Sequence, residues 1–123
     1  MRKQYYFRSS SRGLLAWDVD RLVNLSSHLP RQRIPLSTIR ELDEAWGGDD
    51  EPPTWRAMLE HMRLIEEADL AFPIILSASG AVMDGMHRVA KAVRLGRKDI
   101  EAVQFTEDPE PDHVGRGPRE LPY

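Results

Sequence analysis

The 123-residue chain contains no cysteine, which excludes disulfides, thiolate metal ligands and a cysteine nucleophile. It has no apolar run near the roughly 18–20 residues that a membrane-crossing helix needs. Its opening residues, Met1-Arg2-Lys3-Gln4-Tyr5, start no apolar segment of signal-peptide type, so the expected location is the cytoplasm. Internal repeats and low-complexity tracts are missing too. A net charge of −3 gives no global attraction to nucleic acid. What is present, 41% hydrophobic and 30% charged residues, is the balance of a soluble globular chain rather than a disordered one. The length suits one domain able to bury one core.

Charge is unevenly spread. Residues 1–12 carry Arg2, Lys3, Arg8 and Arg12 without an acid, and residues 85–98 carry Arg88, Lys91, Arg94, Arg97 and Lys98, again without one. Glu41, Asp43, Glu44, Asp49, Asp50 and Glu51 crowd one stretch, with only Arg40 opposing them. Most charge runs are solvated faces. The basic run of 85–98 stands out because it follows a turn suited to anions.

The pattern of residues predicts the following elements. Residues 1–12 form a polar, loosely held segment, although Tyr5-Tyr6-Phe7 has the character to pack. Gly13-Leu14-Leu15-Ala16-Trp17 reads as a short strand. Asp18 caps a helix over about 19–28, closed by Pro30. Arg33-Ile34-Pro35-Leu36 is extended, and Thr38 with Glu41 has capping-box spacing for a short helix over 38–45. Residues 47–53, Gly-Gly-Asp-Asp-Glu-Pro-Pro, are a loop by composition. Thr54 caps the clearest helix, 55–67, where Trp55, Met58, Leu59, Met62 and Ile65 recur at core-facing spacing. His61, at the edge of that stripe, is expected to pack or to hydrogen-bond. Phe72–Leu76 is a buried strand, Ser77–Gly80 a turn, and Ala81–Met83 a returning strand. A helix over 87–95 stops at Gly96. Ile100–Phe105 alternates as the last strand, and 107–123 is a Pro- and Gly-rich tail without regular structure.

The strand–turn–helix at 81–95 is where chemistry is expected. A helix N-terminus offers about four unpaired N–H groups and roughly half a positive charge. Glycine at position 85 permits close approach to the backbone, so the amides of Gly85–Arg88 suit phosphate oxygens. Arg88 adds a bidentate cation, His87 a donor or titrating group, and Lys91 a second cation one turn on. Asp84 has three possible tasks: capping the helix, holding a sugar hydroxyl, or binding Mg²⁺ through a water. The residues proposed for chemistry are therefore Asp84, His87 and Arg88. Those proposed to hold the ligand are Gly85, Met86, His87, Arg88 and Lys91. No ligand cluster for a metal stands out beyond Asp84 and His87.

Pro73-Ile74-Ile75-Leu76, then Gly80, then Asp84-Gly85-Met86-His87-Arg88, then Ala92 and Leu95-Gly96, resemble the ParB/sulfiredoxin-like superfamily. The match is specific over residues 70–105 and looser over Ile34–Ile39. The resemblance implies a small α+β (α/β) fold, a mixed sheet with flanking helices over residues 13–106, and a nucleotide in a cleft with its phosphates on this turn. Members include CTP-hydrolysing partition proteins, ATP-using sulfinic acid reductases, an ADP-dependent free-serine kinase and nuclease-like proteins. Sulfiredoxins have Gly-Cys-His-Arg at the turn, and here Met86 stands in place of the cysteine, so reductase chemistry of that type is not expected. Partition proteins typically show Gly-Glu-Arg-Arg, and the short chain leaves no room for their DNA-binding and dimerisation domains. The resemblance thus points to a Mg²⁺-dependent nucleotide hydrolase, phosphotransferase or nuclease acting on ATP, ADP or CTP. A catalytic carboxylate would come from Glu41, Asp43, Glu44 or Asp69. The alternative is a non-enzymatic module that binds nucleic acid or protein through the two basic runs.

Overall fold

The structure is a computed structural model, described here over residues 3–46 and 54–123. Its described residues form three α-helices and two small sheets, a small α+β fold as the sequence led us to expect. A four-stranded sheet has the order β3 (Gln32–Pro35), β6 (Asp99–Gln104), β4 (Ile74–Leu76), β5 (Val82–Asp84). β4 runs parallel to β6, while β3–β6 and β4–β5 are antiparallel, so the sheet is mixed. A three-stranded sheet has the order β1 (Tyr5–Ser10), β2 (Gly13–Asp18), β7 (His113–Val114), all antiparallel.

Period-two alternation divides the core between the faces of the four-stranded sheet. Ile74, Leu76, Val82, Ile100 and Ala102 face helix α3 (Met86–Arg94), meeting its Val89 and Ala92. Ile75, Met83, Val103 and Phe105 face the other way, onto Leu15 and Trp17 of β2 and Leu22 of α1 (Val19–Ser26). β4 is central and covered on both sides, which is why Ile74-Ile75-Leu76 reads as an unbroken apolar run.

Several local signals were read correctly. The Asp18 carboxylate accepts from the Asp20 amide and starts α1. Thr54 Oγ1 accepts from the Ala57 amide and starts α2 (Trp55–Glu67). Gly96, at φ +76°, ends α3, with the Arg97 amide donating to the Ala92 carbonyl.

Other expectations are corrected. The helix expected over 38–45 is replaced by two 3₁₀ turns, Leu36–Thr38 and Arg40–Asp43. Ile39 between them is extended, which lets both Leu36 and Ile39 reach the core; Thr38 Oγ1 donates to the Pro35 carbonyl instead of capping a helix. The segment 1–12, expected to be loose, supplies β1, paired along its whole length with β2. The tail supplies β7 and a 3₁₀ turn at Pro118–Glu120, and Leu121 is buried. The loop expected at 47–53 lies outside the described residues.

The largest correction concerns α2. Its apolar stripe was expected in the core, yet none of its residues is fully buried, and Trp55, Leu59 and Met62 are 80%, 63% and 46% exposed. Met58 and Ile65 of the stripe are half-buried, together with Ala57, His61 and Leu64, and polar bonds fasten the helix to α3. Lys91 Nζ on α3 donates to the last carbonyls of α2, Glu66 O at 2.9 Å and Ala68 O at 2.7 Å. Arg94 pairs with Glu66 at 3.5 Å. His61 meets His87. A helix C-terminus is stabilised by such a cation.

Lys91→Met keeps the apolar stem and removes these donors. Amide hydrogen exchange in α2 should speed up about tenfold, equivalent to about 1.4 kcal/mol of local opening. Protection in β4 and α3 should be unchanged. Unaltered exchange in α2 would show that Lys91 does not hold it.

Candidate functional site

β5 ends at Asp84, Gly85 turns the chain, and α3 begins at Met86. Gly85 has φ +114° and ψ 18°, the left-handed region that favours glycine. A Cβ there would lie 2.6 Å from Ile74 Cγ2 and 3.1 Å from Arg88 Nη2. The glycine is therefore explained by backbone conformation and by close packing on β4; the space beside its Cα is filled by protein.

Asp84 and Arg88 are directed at each other across this turn. Arg88 Nη2 donates to Asp84 Oδ2 at 2.7 Å, and Nη1 donates to the Pro73 carbonyl at 3.2 Å. Both side chains are mostly covered, at 16% and 20% exposure for Arg88 and Asp84. The guanidinium thus staples the end of β5, the first turn of α3 and the entry to β4. Charged hydrogen bonds of this kind are worth about 1.5–3 kcal/mol each. Lys91 is turned toward α2, as described above. The two cations read from the sequence as phosphate ligands are hence engaged within the protein.

The start of α3 itself is different. No side chain caps it among the described residues. The first helical bond is from the Val89 amide to the Gly85 carbonyl, so the amides of Met86, His87 and Arg88 precede the intrahelical ladder. Met86 packs its side chain against the core beneath.

His87, in the first turn, meets His61 of α2. His61 Nδ1 and His87 Nε2 are 2.8 Å apart, and the rings stack with centroids at 5.1 Å and planes 27° apart. One imidazole donates and the other accepts, so the pair shares a single proton along this line. Trp46 lies against the outer side of His61, centroids 5.3 Å apart and planes at 42°. Glu60 is close by: the hydrogen bond from Arg63 holds its carboxyl below the usual range, and the nearby His61 and His87 act in the same direction.

The candidate carboxylates separate. Glu41 Oε2 accepts from the Val82 amide at 2.6 Å, closing the outer edge of β5, while Oε1 is buried without a hydrogen-bond partner among the described residues. Asp43 and Glu44 are exposed. Asp69 Oδ1 accepts from the Ala71 amide in its own turn. Among the described residues no group of three or more His, Asp or Glu side chains converges to hold a metal. A cavity of about 190 Å³ lies elsewhere, between Arg33, Arg97, Asp99 and Glu101, and does not reach the turn.

The structure thus brings Asp84, Gly85, Met86, His87 and Arg88 into one turn, with the Lys91 ammonium directed away from it. Sequence reasoning missed the partnership of His61 with His87, because residues 26 apart on different helices carry no local signal. It also passed over Trp46, whose trace was an aromatic residue isolated in an acidic, glycine-rich stretch. No family model, no curated protein and no solved structure matches the chain. Among the described residues no helix is long and apolar enough to cross a membrane.

Gly85→Ala meets both obstacles, the positive φ and the Ile74 contact. It should lower unfolding free energy by about 2–4 kcal/mol, measured by urea denaturation. A change below about 0.5 kcal/mol would contradict the packing account.

Proposed function

We propose that the chain is a cytoplasmic nucleotide-binding domain, in which the N-terminus of α3 holds the phosphates of ATP, ADP or CTP with Mg²⁺. The observation that carries this reading is the start of α3: three amides outside the helical ladder, no side-chain cap, and a histidine in the same turn. Such a terminus favours anions through its N–H groups and its dipole. The resemblance of residues 70–105 to ParB/sulfiredoxin-like domains supports the same ligand. Mg²⁺ arrives with the phosphates, as it does where a protein supplies few ligands of its own.

In this reading Asp84 and Arg88 are positioning residues that fix the turn. His87 is the group that faces the phosphate, and it moves the proton when phosphate is hydrolysed or transferred. Its bond to His61 gives it a defined orientation and a partner to share that proton. Binding of nucleic acid through residues 88–98 is the weaker reading, because Arg88, Lys91 and Arg94 are each bonded within the protein.

His87→Asp tests the site without removing a cap. An acid in the first turn is favourable to the helix, so α3 persists, yet its charge occupies and repels the anion position. Isothermal titration should show saturable binding of Mg²⁺·ATP, ADP or CTP to the wild type, weakened at least about tenfold in His87→Asp. If none of these nucleotides gives heat with the wild type, the proposal fails.

A further inference from the structure

α2 leaves an apolar strip uncovered. Trp55, Leu59 and Met62 follow one another at spacings of four and three along one side of the helix, and all three are exposed. Beside the strip run Arg56, Glu60, Arg63 and Glu67, spaced four, three and four apart and all exposed. Their signs alternate: plus, minus, plus, minus. Read from the other end, the order is minus, plus, minus, plus. We propose that this strip is the interface for a second copy of the chain, whose α2 lies antiparallel across the first. The two-fold axis passes between residues 61 and 62. The proposal is independent of the phosphate reading above.

Charge complementarity selects that occupant. In a two-fold contact residue i meets j and j meets i. With Arg56 opposite Glu67 of the second copy, Glu60 falls opposite Arg63, so every charge on the flank faces its opposite. Leu59 and Met62 of both copies gather at the middle, where covering them and Trp55 supplies the apolar free energy. The ion pairs mainly set orientation. The helix also carries charges that oppose its own dipole. It has no acid in its first turn and no base in its last. Arg56 stands instead at the positive end, and Glu66 and Glu67 at the negative end. An antiparallel neighbour corrects this, because Glu67 of one copy comes beside the N-terminus of the other. Within one chain Arg63 holds both Glu60 and Glu67, whereas Arg56 makes no ion pair among the described residues. A lipid surface or a nucleic acid carries one sign and would be repelled by half of this flank.

Sedimentation equilibrium of the full chain tests the proposal. The mass should rise with concentration from 14.1 kDa toward twice that value. Leu59→Lys combined with Met62→Lys, both at exposed positions, should hold it near 14.1 kDa with an unchanged circular dichroism spectrum. Arg56→Glu and Glu67→Arg should each weaken the dimer about tenfold, since symmetry places the like-charged pair in the contact twice. Mixing these two variants should restore wild-type association, because every pair across a mixed dimer is again opposite in sign. The charge variants keep the apolar strip, so their mixture tests the antiparallel contact separately from folding. A wild type still monomeric at about 1 mM would overturn the proposal. So would a dimer that survives the two lysine substitutions, or charge variants whose mixture associates no better than either alone.

Discussion

The contact between Gly85 and Ile74 constrains the rest of the structure. β5 must turn into α3 while its backbone touches the central strand, and only a residue without Cβ, at positive φ, fits there. With that turn fixed, Arg88 comes within reach of both Asp84 and the Pro73 carbonyl, and three chain segments are joined by one guanidinium. α3 is thereby aimed so that Val89 and Ala92 meet the sheet, while its first amides are left outside the ladder. Core packing and the anion-favouring helix start are consequences of the same few atoms.

α2 depends on α3 in turn. None of its residues is fully buried, and Lys91 at its C-terminal carbonyls and His61 against His87 fasten it to α3. A helix fastened by polar bonds opens more readily than one fastened by a core. That arrangement places a moderately held element, carrying one half of the histidine pair, directly beside the proposed site.

Much of this was legible in the sequence wherever the signal is local. Asp18 and Thr54 are caps whose partners lie two or three residues on, and Gly96 ends a helix through its own backbone. The buried run at 74–76 marks a central strand. The turn at 84–88 stands where the sequence places it, but the internal partners of its side chains were not legible. Arg88 and Lys91 look like free cations in sequence, because their acceptors are backbone carbonyls at 73, 66 and 68, which no residue type announces. The stripe of α2 misled for a related reason: periodicity shows that one face is apolar and says nothing of what that face meets. Thr38 and Glu41 have capping-box spacing, yet burying Ile39 between them outweighed the local preference.

The site that results is smaller than the one read from the sequence and better defined. Its donors are backbone amides, and a histidine pair shared between two helices lies beside them. NMR titration of the isotopically labelled chain with Mg²⁺·ATP tests this most directly. The account predicts saturable shifts led by the backbone amides of Met86, His87 and Arg88, with the His61 and His87 ring signals following. Shifts confined to other regions, or none at saturating nucleotide, would contradict it.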